Sequence, residues 1–273
     1  MKERSVMKNK IKVLFIGNSH TYFNDMPQSF ADMCQAGGVE TDVVMLAYSW
    51  KDLEWHMSKE YFTARFNILY GGYDYCVVQQ GAHPFPGEET TMANAARIAE
   101  LCRKAGTKVL LIETWAEKKY PQHQELLSEA NRKVADSIGA HLVPVGSVWQ
   151  QLLTECPEID LFWKDGEHAS PYGDYVISAL LSRMILTDLS GEDQSRAGDV
   201  SEMNLEDSAG GVSFKDPLEE FDGAGKDFAG DLEIDFYSPR VLENVSEISM
   251  QLDADKITKI NKVIIRKYTT ENL

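Results

Sequence analysis

Apolar residues gather in five short runs along the chain, at 13–16, 43–47, 75–79, 109–113 and 142–145. Each ends at a polar or glycine-bearing turn. The first, rich in β-branched residues and cut off by Gly17, reads as a strand buried on both faces of a parallel sheet. Between the runs lie amphipathic segments at roughly 26–36, 61–69, 93–104 and 122–137. In the last of these, Leu126, Leu127, Ala130, Val134 and Ile138 recur at three- and four-residue spacing, which predicts a helix with one buried stripe. Gly37-Gly38, Gly106 and Gly139 follow these segments as helix C-caps do. Alternating strands and helices predict a parallel sheet covered on both faces, and right-handed crossovers make that a three-layer α/β/α sandwich.

After the fifth run a short helix is expected at 147–154, then a loop carrying Pro157, Asp160, Trp163, Asp165 and His168. A helix follows over 171–189. Ser170 suits its N-cap, Pro171 its first turn, and Asp174 complements the helix dipole. Beyond Gly191 the periodicity fades, so residues 191–240 read as an irregular or mobile extension. Ile257, Ile260, Val263 and Ile264 bring helical spacing back and predict a terminal helix over 253–267 that docks on the body. The expected division is a 1–190 domain and a 191–273 extension.

Charge sharpens this division. The formal net charge of the 273 residues is −16, yet residues 191–255 alone hold 18 acidic and 4 basic side chains, a net of −14. That balance argues against nucleic acid and anionic membrane surfaces as partners. No run approaches the roughly 20 apolar residues of a membrane helix, and the basic start at 1–10 lacks the apolar segment and cleavage site of a signal peptide. Cys34, Cys76, Cys102 and Cys156 lie far apart without metal-type spacing, so they read as buried free thiols of a cytoplasmic protein. No His and carboxylate set has the spacing of a zinc site, and no metal or cofactor is expected. Oligomeric state is not legible.

Candidate chemistry sits at two places. Gly17-Asn18-Ser19-His20 follows the first strand, at the sheet end where open α/β folds bind ligands. Ser19 becomes a nucleophile only if a base takes its proton. Asp165-Gly166-Glu167-His168 offers one: the carboxylate can hold one ring nitrogen and leave the other facing outward. His20, adjacent to Ser19 in sequence, is the less favourable base, since a neighbouring side chain points elsewhere.

With these two motifs the sequence resembles the SGNH (GDSL-like) hydrolases over about residues 10–190. The first tetrapeptide looks like their nucleophile motif, and Asp165 to His168 like their D-x-x-H. The resemblance implies a flavodoxin-like five-stranded sheet of order 2-1-3-4-5. It also implies hydrolysis of an acyl ester through a Ser19–His168–Asp165 triad and an acyl-enzyme. The middle motifs depart from the family. Asn18 stands where Asp is usual, Ala47-Tyr48-Ser49-Trp50 lacks the second motif's glycine, and Gln79-Gln80-Gly81-Ala82-His83 replaces G-x-N-D. The expected oxyanion donors are therefore the Ser19 and Ser49 backbone N–H groups and the Gln80 side chain. The Gln-Gly pair is similar to the sialate O-acetylesterase-like branch, which implies a short-chain, acetyl-type ester on a small molecule or a glycan.

Asn18, His20, His83, Trp50, Trp115 and Trp163 are the candidate substrate contacts; for the tryptophans the alternative is core packing. His56 and His123 read as surface or helix-packing residues, and Lys118-Lys119 as solvated surface. Two rival readings stand beside the esterase: a lipase or thioesterase of the same fold, and a catalytically silent flavodoxin-like binding domain. A phosphate site at Gly17 has little support, with one glycine and no lysine after it.

Overall fold

The computed structural model describes residues 9–190 and 252–270. The expected irregular extension at 191–240 and the basic first eight residues lie outside them.

Strand β1 (Lys10–Gly17) is an interior strand of the sheet, paired along both edges. Its side chains alternate between two cores, because successive strand residues point to opposite faces. Ile11, Val13 and Phe15 face one apolar cluster, and Leu14 and Ile16 face the other. That double burial is why the run is continuously apolar. Around it lie β2 (Glu40–Ala47), β3 (Tyr75–Val78), β4 (Lys108–Ile112) and β5 (His141–Val143). All pairings are parallel and the order is 2-1-3-4-5, as the family resemblance implied.

Helices α1 (Ser19–Tyr22) and α2 (Met26–Ala36) follow β1, with a single 3₁₀ turn between them. Helices α3 (Leu53–Ser58) and α4 (Tyr61–Tyr70) then join β2 to β3. The remaining connections are α5 (Glu88–Ala105), α6 (Gln124–Ile138), α7 (Val145–Glu155) and α8 (Pro171–Ser190). One face of the sheet is covered by α2, α7 and α8, the other by α3 to α6. Helix α5 starts five residues before its expected position because Glu88 and Glu89, polar and suited to a helix N-terminus, extend it ahead of the apolar stripe.

Helix α9 (Ala254–Thr270) lies against α7 and α8. Ile257, Ile260, Val263 and Ile264 are buried there, and the Tyr175 hydroxyl donates to Asn261 Oδ1 at 3.1 Å. Arg266 pairs with Glu155 and Lys259 with Glu158. All four cysteines are buried free thiols. Among the described residues, no helix is long and apolar enough to cross a membrane.

Candidate active site

The C-terminal end of β1 is built around Gly17. An added Cβ there would lie 2.2 Å from Thr21 Oγ1 and 2.8 Å from Gln79 Oε1, so only glycine allows α1 to fold back this tightly. The Gly17 carbonyl accepts from the His56 Nε2–H at 2.7 Å. His56 is therefore a buried support of the turn that carries Ser19, kept neutral by burial, which pushes its pKa down. Gln79 Oε1 holds the turn from the other side, accepting from Asn18 N at 3.2 Å and Thr21 Oγ1 at 3.0 Å. Gly17→Ala should cost roughly 1–3 kcal/mol by overpacking, read as a lower urea midpoint.

Ser19 opens α1 with its hydroxyl 2.8 Å from His168 Nε2. On the far side of the ring, His168 Nδ1 lies 2.7 Å from Asp165 Oδ2. The Asp165–His168 loop closes on itself. Asp165 Oδ1 accepts from the backbone N–H groups of Glu167 and His168, at 2.8 and 3.0 Å. Trp163 N donates to the His168 carbonyl, and Gly166 takes the turn at φ +76°. Burial opposes ionisation of Asp165, but His168 and the two backbone donors outweigh it and hold the carboxyl down at about 2. Ser170 caps α8 as expected, accepting from Tyr172 N and Gly173 N.

The His168 ring is gripped on both faces. Phe23 stacks at 4.4 Å between centroids and His20 at 4.7 Å. His20 is thus a wall of the site; burial, then the neighbouring His168 and His83, push its pKa well below the ordinary value. The ring of His83 lies 5.3 Å from that of His20, with Nδ1 3.6 Å from Glu117 Oε1. Burial lowers the His83 pKa to about 4.

Three sequence expectations need correction. The Gln80 side chain is sealed inside the protein rather than open to an oxyanion. It is 0% exposed, its Nε2 donates to Thr91 Oγ1 at 3.0 Å, and its Oε1 accepts from Leu53 N and Gly81 N. Trp115 takes the core-packing alternative rather than a substrate contact. It is 1% exposed, stacked on Trp149 at 4.6 Å, and its Nε1 donates to the Glu167 carbonyl, so it supports the histidine loop from beneath. Asp174 stands in the first turn of α8, but not as a simple dipole partner. It is fully buried, burial raises its pKa well above the carboxylate range, and it accepts from Asn24 Nδ2.

That last bond exposes a residue that sequence reasoning passes over. Asn24, in the left-handed region at φ 48°, also donates from Nδ2 to the Ala169 carbonyl at 3.0 Å. It ties the segment after Ser19 to the residue after His168. Its one sequence signal is the Asn-Asp pair before a helix. Asn24→Ala would leave two buried acceptors unsatisfied and should destabilise by about 1–3 kcal/mol, measured by urea denaturation.

Trp163 flanks the site edge-on to Phe23 at 5.8 Å. Trp50 is 77% exposed in the turn after β2, beside the exposed Ser49. Among the described residues there is no group of three or more His, Cys, Asp or Glu side chains able to hold a metal ion.

No protein-family model matches the chain, and no curated protein does either. Solved structures do match. A DUF4886 family protein from Bacteroides uniformis superposes with a TM-score of 0.56 at 19% identity, covering 68% of this chain and 85% of that one. A lipase/acylhydrolase from Enterococcus faecalis gives 0.54 at 16% identity, covering 65% and 96%. Axe2, an acetylxylan esterase from Geobacillus stearothermophilus, gives 0.53 at 13% identity, covering 68% and 97%. With the parallel sheet of order 2-1-3-4-5, these likenesses give the chain the fold of the GDSL-like (SGNH) lipases and esterases.

Proposed function

We propose that the protein is a serine ester hydrolase that removes a short, acetyl-type acyl group from an alcohol, with a carbohydrate as the favoured carrier. The observation that carries this reading is the continuous line Ser19 Oγ–His168 Nε2–Asp165, at 2.8 and 2.7 Å. Those distances suit a nucleophile, a base and an orienting carboxylate.

Ser19 Oγ attacks the ester carbonyl carbon as its proton passes to His168 Nε2. When the tetrahedral intermediate collapses, the C–O bond to the alcohol breaks and His168 returns the proton to the departing oxygen. Water then attacks the acyl-Ser19 ester by the same route and releases the acid. Asp165, ionised down to about pH 2, fixes the Nδ1–H tautomer and stabilises the imidazolium. The Ser19 and Ser49 backbone N–H groups are the proposed main-chain oxyanion donors.

Support for a carbohydrate carrier comes from Trp50. A bulky residue at φ +61° sits in a strained region, at a cost of about 1–3 kcal/mol. The strain accompanies a ring presented to water at the sheet end where Ser19 lies, as a stacking platform requires. An acetylxylan esterase among the structures of like fold points the same way, while the lipase/acylhydrolase keeps longer acyl chains as the second reading. Hydrolysis of p-nitrophenyl acetate, butyrate and octanoate by wild type and Ser19→Ala tests the proposal. Acetate hydrolysed fastest, and only with Ser19 present, is the expected result. Activity that survives Ser19→Ala would overturn the nucleophile, and a preference for octanoate would overturn the short-chain assignment.

A further inference from the structure

Gln80 leaves a gap. A hydrolase of this kind needs donors aimed at the developing oxyanion, and two groups near the β3 end are already committed. The Gln80 amide is bonded at both ends, and Gly81 N donates to Gln80 Oε1 at 2.8 Å. We infer that the side-chain amide of Asn18 fills this gap, its Nδ2 group donating to the oxyanion beside the Ser19 backbone N–H. The inference rests on the esterase reading above.

The orientation of the Asn18 amide is fixed by its partners. Its Oδ1 faces the backbone N–H of His20 at 3.1 Å, a group that can only donate, and His20 Nδ1 at 3.2 Å. Nδ2 must therefore point the other way. It makes no hydrogen bond among the described residues, yet it is not sealed from solvent, unlike the buried polar atoms that lack a partner. The space before it is kept open by Gly81, where an added Cβ would stand 3.5 Å from Nδ2. Asn18 is also extended backbone at φ −140° whose side chain caps α1, so the amide is held in place before substrate arrives. Such preorganisation is what makes an oxyanion donor effective.

His83 is the rival donor, and its geometry is against it. The ring nitrogen nearer a carboxylate is Nδ1, 3.6 Å from Glu117, so the neutral ring favours its proton there and presents Nε2 as an acceptor. With a pKa near 4 it does not become a double donor at neutral pH. The amide has in effect changed motifs: asparagine is missing from the third and present in the first, where the family's usual carboxylate would repel an oxyanion.

The test uses the whole chain and p-nitrophenyl acetate, with a fluorophosphonate probe to report labelling of Ser19. Asn18→Asp retains a good helix cap but loses the donor, and kcat should fall about 10²–10³-fold with KM little changed. Gly81→Ala meets only ordinary contacts, at 3.5, 3.8 and 4.0 Å, so it should fold normally. It crowds Nδ2 and should lower kcat about tenfold at an unchanged melting temperature. If Asn18 were only a cap, Asn18→Asp would keep kcat, and a kcat within about threefold of wild type overturns the inference. So does a loss in His83→Phe that exceeds the loss in Asn18→Asp. If wild type hydrolyses the ester and Ser19 is labelled while Asn18→Asp is fully active, the inference alone falls. If wild type does neither, the esterase reading falls and takes the inference with it.

Discussion

Ser19→Ala and His168→Ala should each lower kcat for ester hydrolysis by on the order of 10⁶, and the double variant should lose no more than either single one. In the proposed mechanism the two side chains act as one device: with the hydroxyl gone His168 has no proton to take, and with the ring gone the hydroxyl stays protonated. Their 2.8 Å contact makes this coupling direct. The stabilities should diverge where the activities do not. Ser19 loses only a hydroxyl, so Ser19→Ala should melt close to wild type. The His168 ring is stacked between Phe23 and His20, and each ring contact is worth about 0.5–1.5 kcal/mol. His168→Ala should therefore melt lower. Losses that multiply in the double variant would mean the two residues serve separate steps.

The parts of this site that the sequence discloses are those whose chemistry is local along the chain. An apolar run stopped by Gly17 gives the strand and the turn, and an Asp three residues before a His gives a pair that one loop can close. Gly166 with its positive φ and the paired backbone donors to Asp165 are the local part of that loop. Family resemblance then joins Ser19 to His168 across 149 residues of chain.

What stayed hidden depends on partners remote in sequence. Gln80 has the right chemistry for an oxyanion donor, and only the approach of Leu53 and Thr91 shows that it is tied up in the interior. Trp115 follows a strand as Trp50 does, yet one lies under the histidine loop and the other in water, a difference set by Trp149 and by the Glu167 carbonyl. Asp174 at a helix start reads as a dipole partner until Asn24 is found against it. His56 shows no sign of its role in sequence, because the carbonyl it holds belongs to Gly17, 39 residues earlier. Helices α1 and α3 run four and six residues, too short for a periodic stripe to show.

Asp165→Asn should lower kcat about 10⁴-fold while leaving the fold intact. Asp165 Oδ1 accepts two backbone N–H groups, and only an oxygen can serve them. The amide introduced by the substitution must therefore keep its oxygen there and turn its NH₂ toward His168 Nδ1. A donor now faces the nitrogen that should carry the proton, so the ring shifts to the tautomer protonated on Nε2. That nitrogen can no longer take the Ser19 proton. The pH dependence separates this from a loss of structure. Asp165 has a folded pKa depressed to about 2, so its ionisation stabilises the fold above the ordinary carboxylate value of about 3.9. This stabilisation drains away as pH falls from there toward 2. In Asp165→Asn that acid-side loss should disappear, with stability at neutral pH only modestly lower. Since Asp165 stays ionised through the neutral range, and His20 and His83 stay neutral there, the acid limb of wild-type hydrolysis should have the unit slope of one proton. A slope of two would mean that a second member of the histidine cluster must also be deprotonated for Ser19 to react.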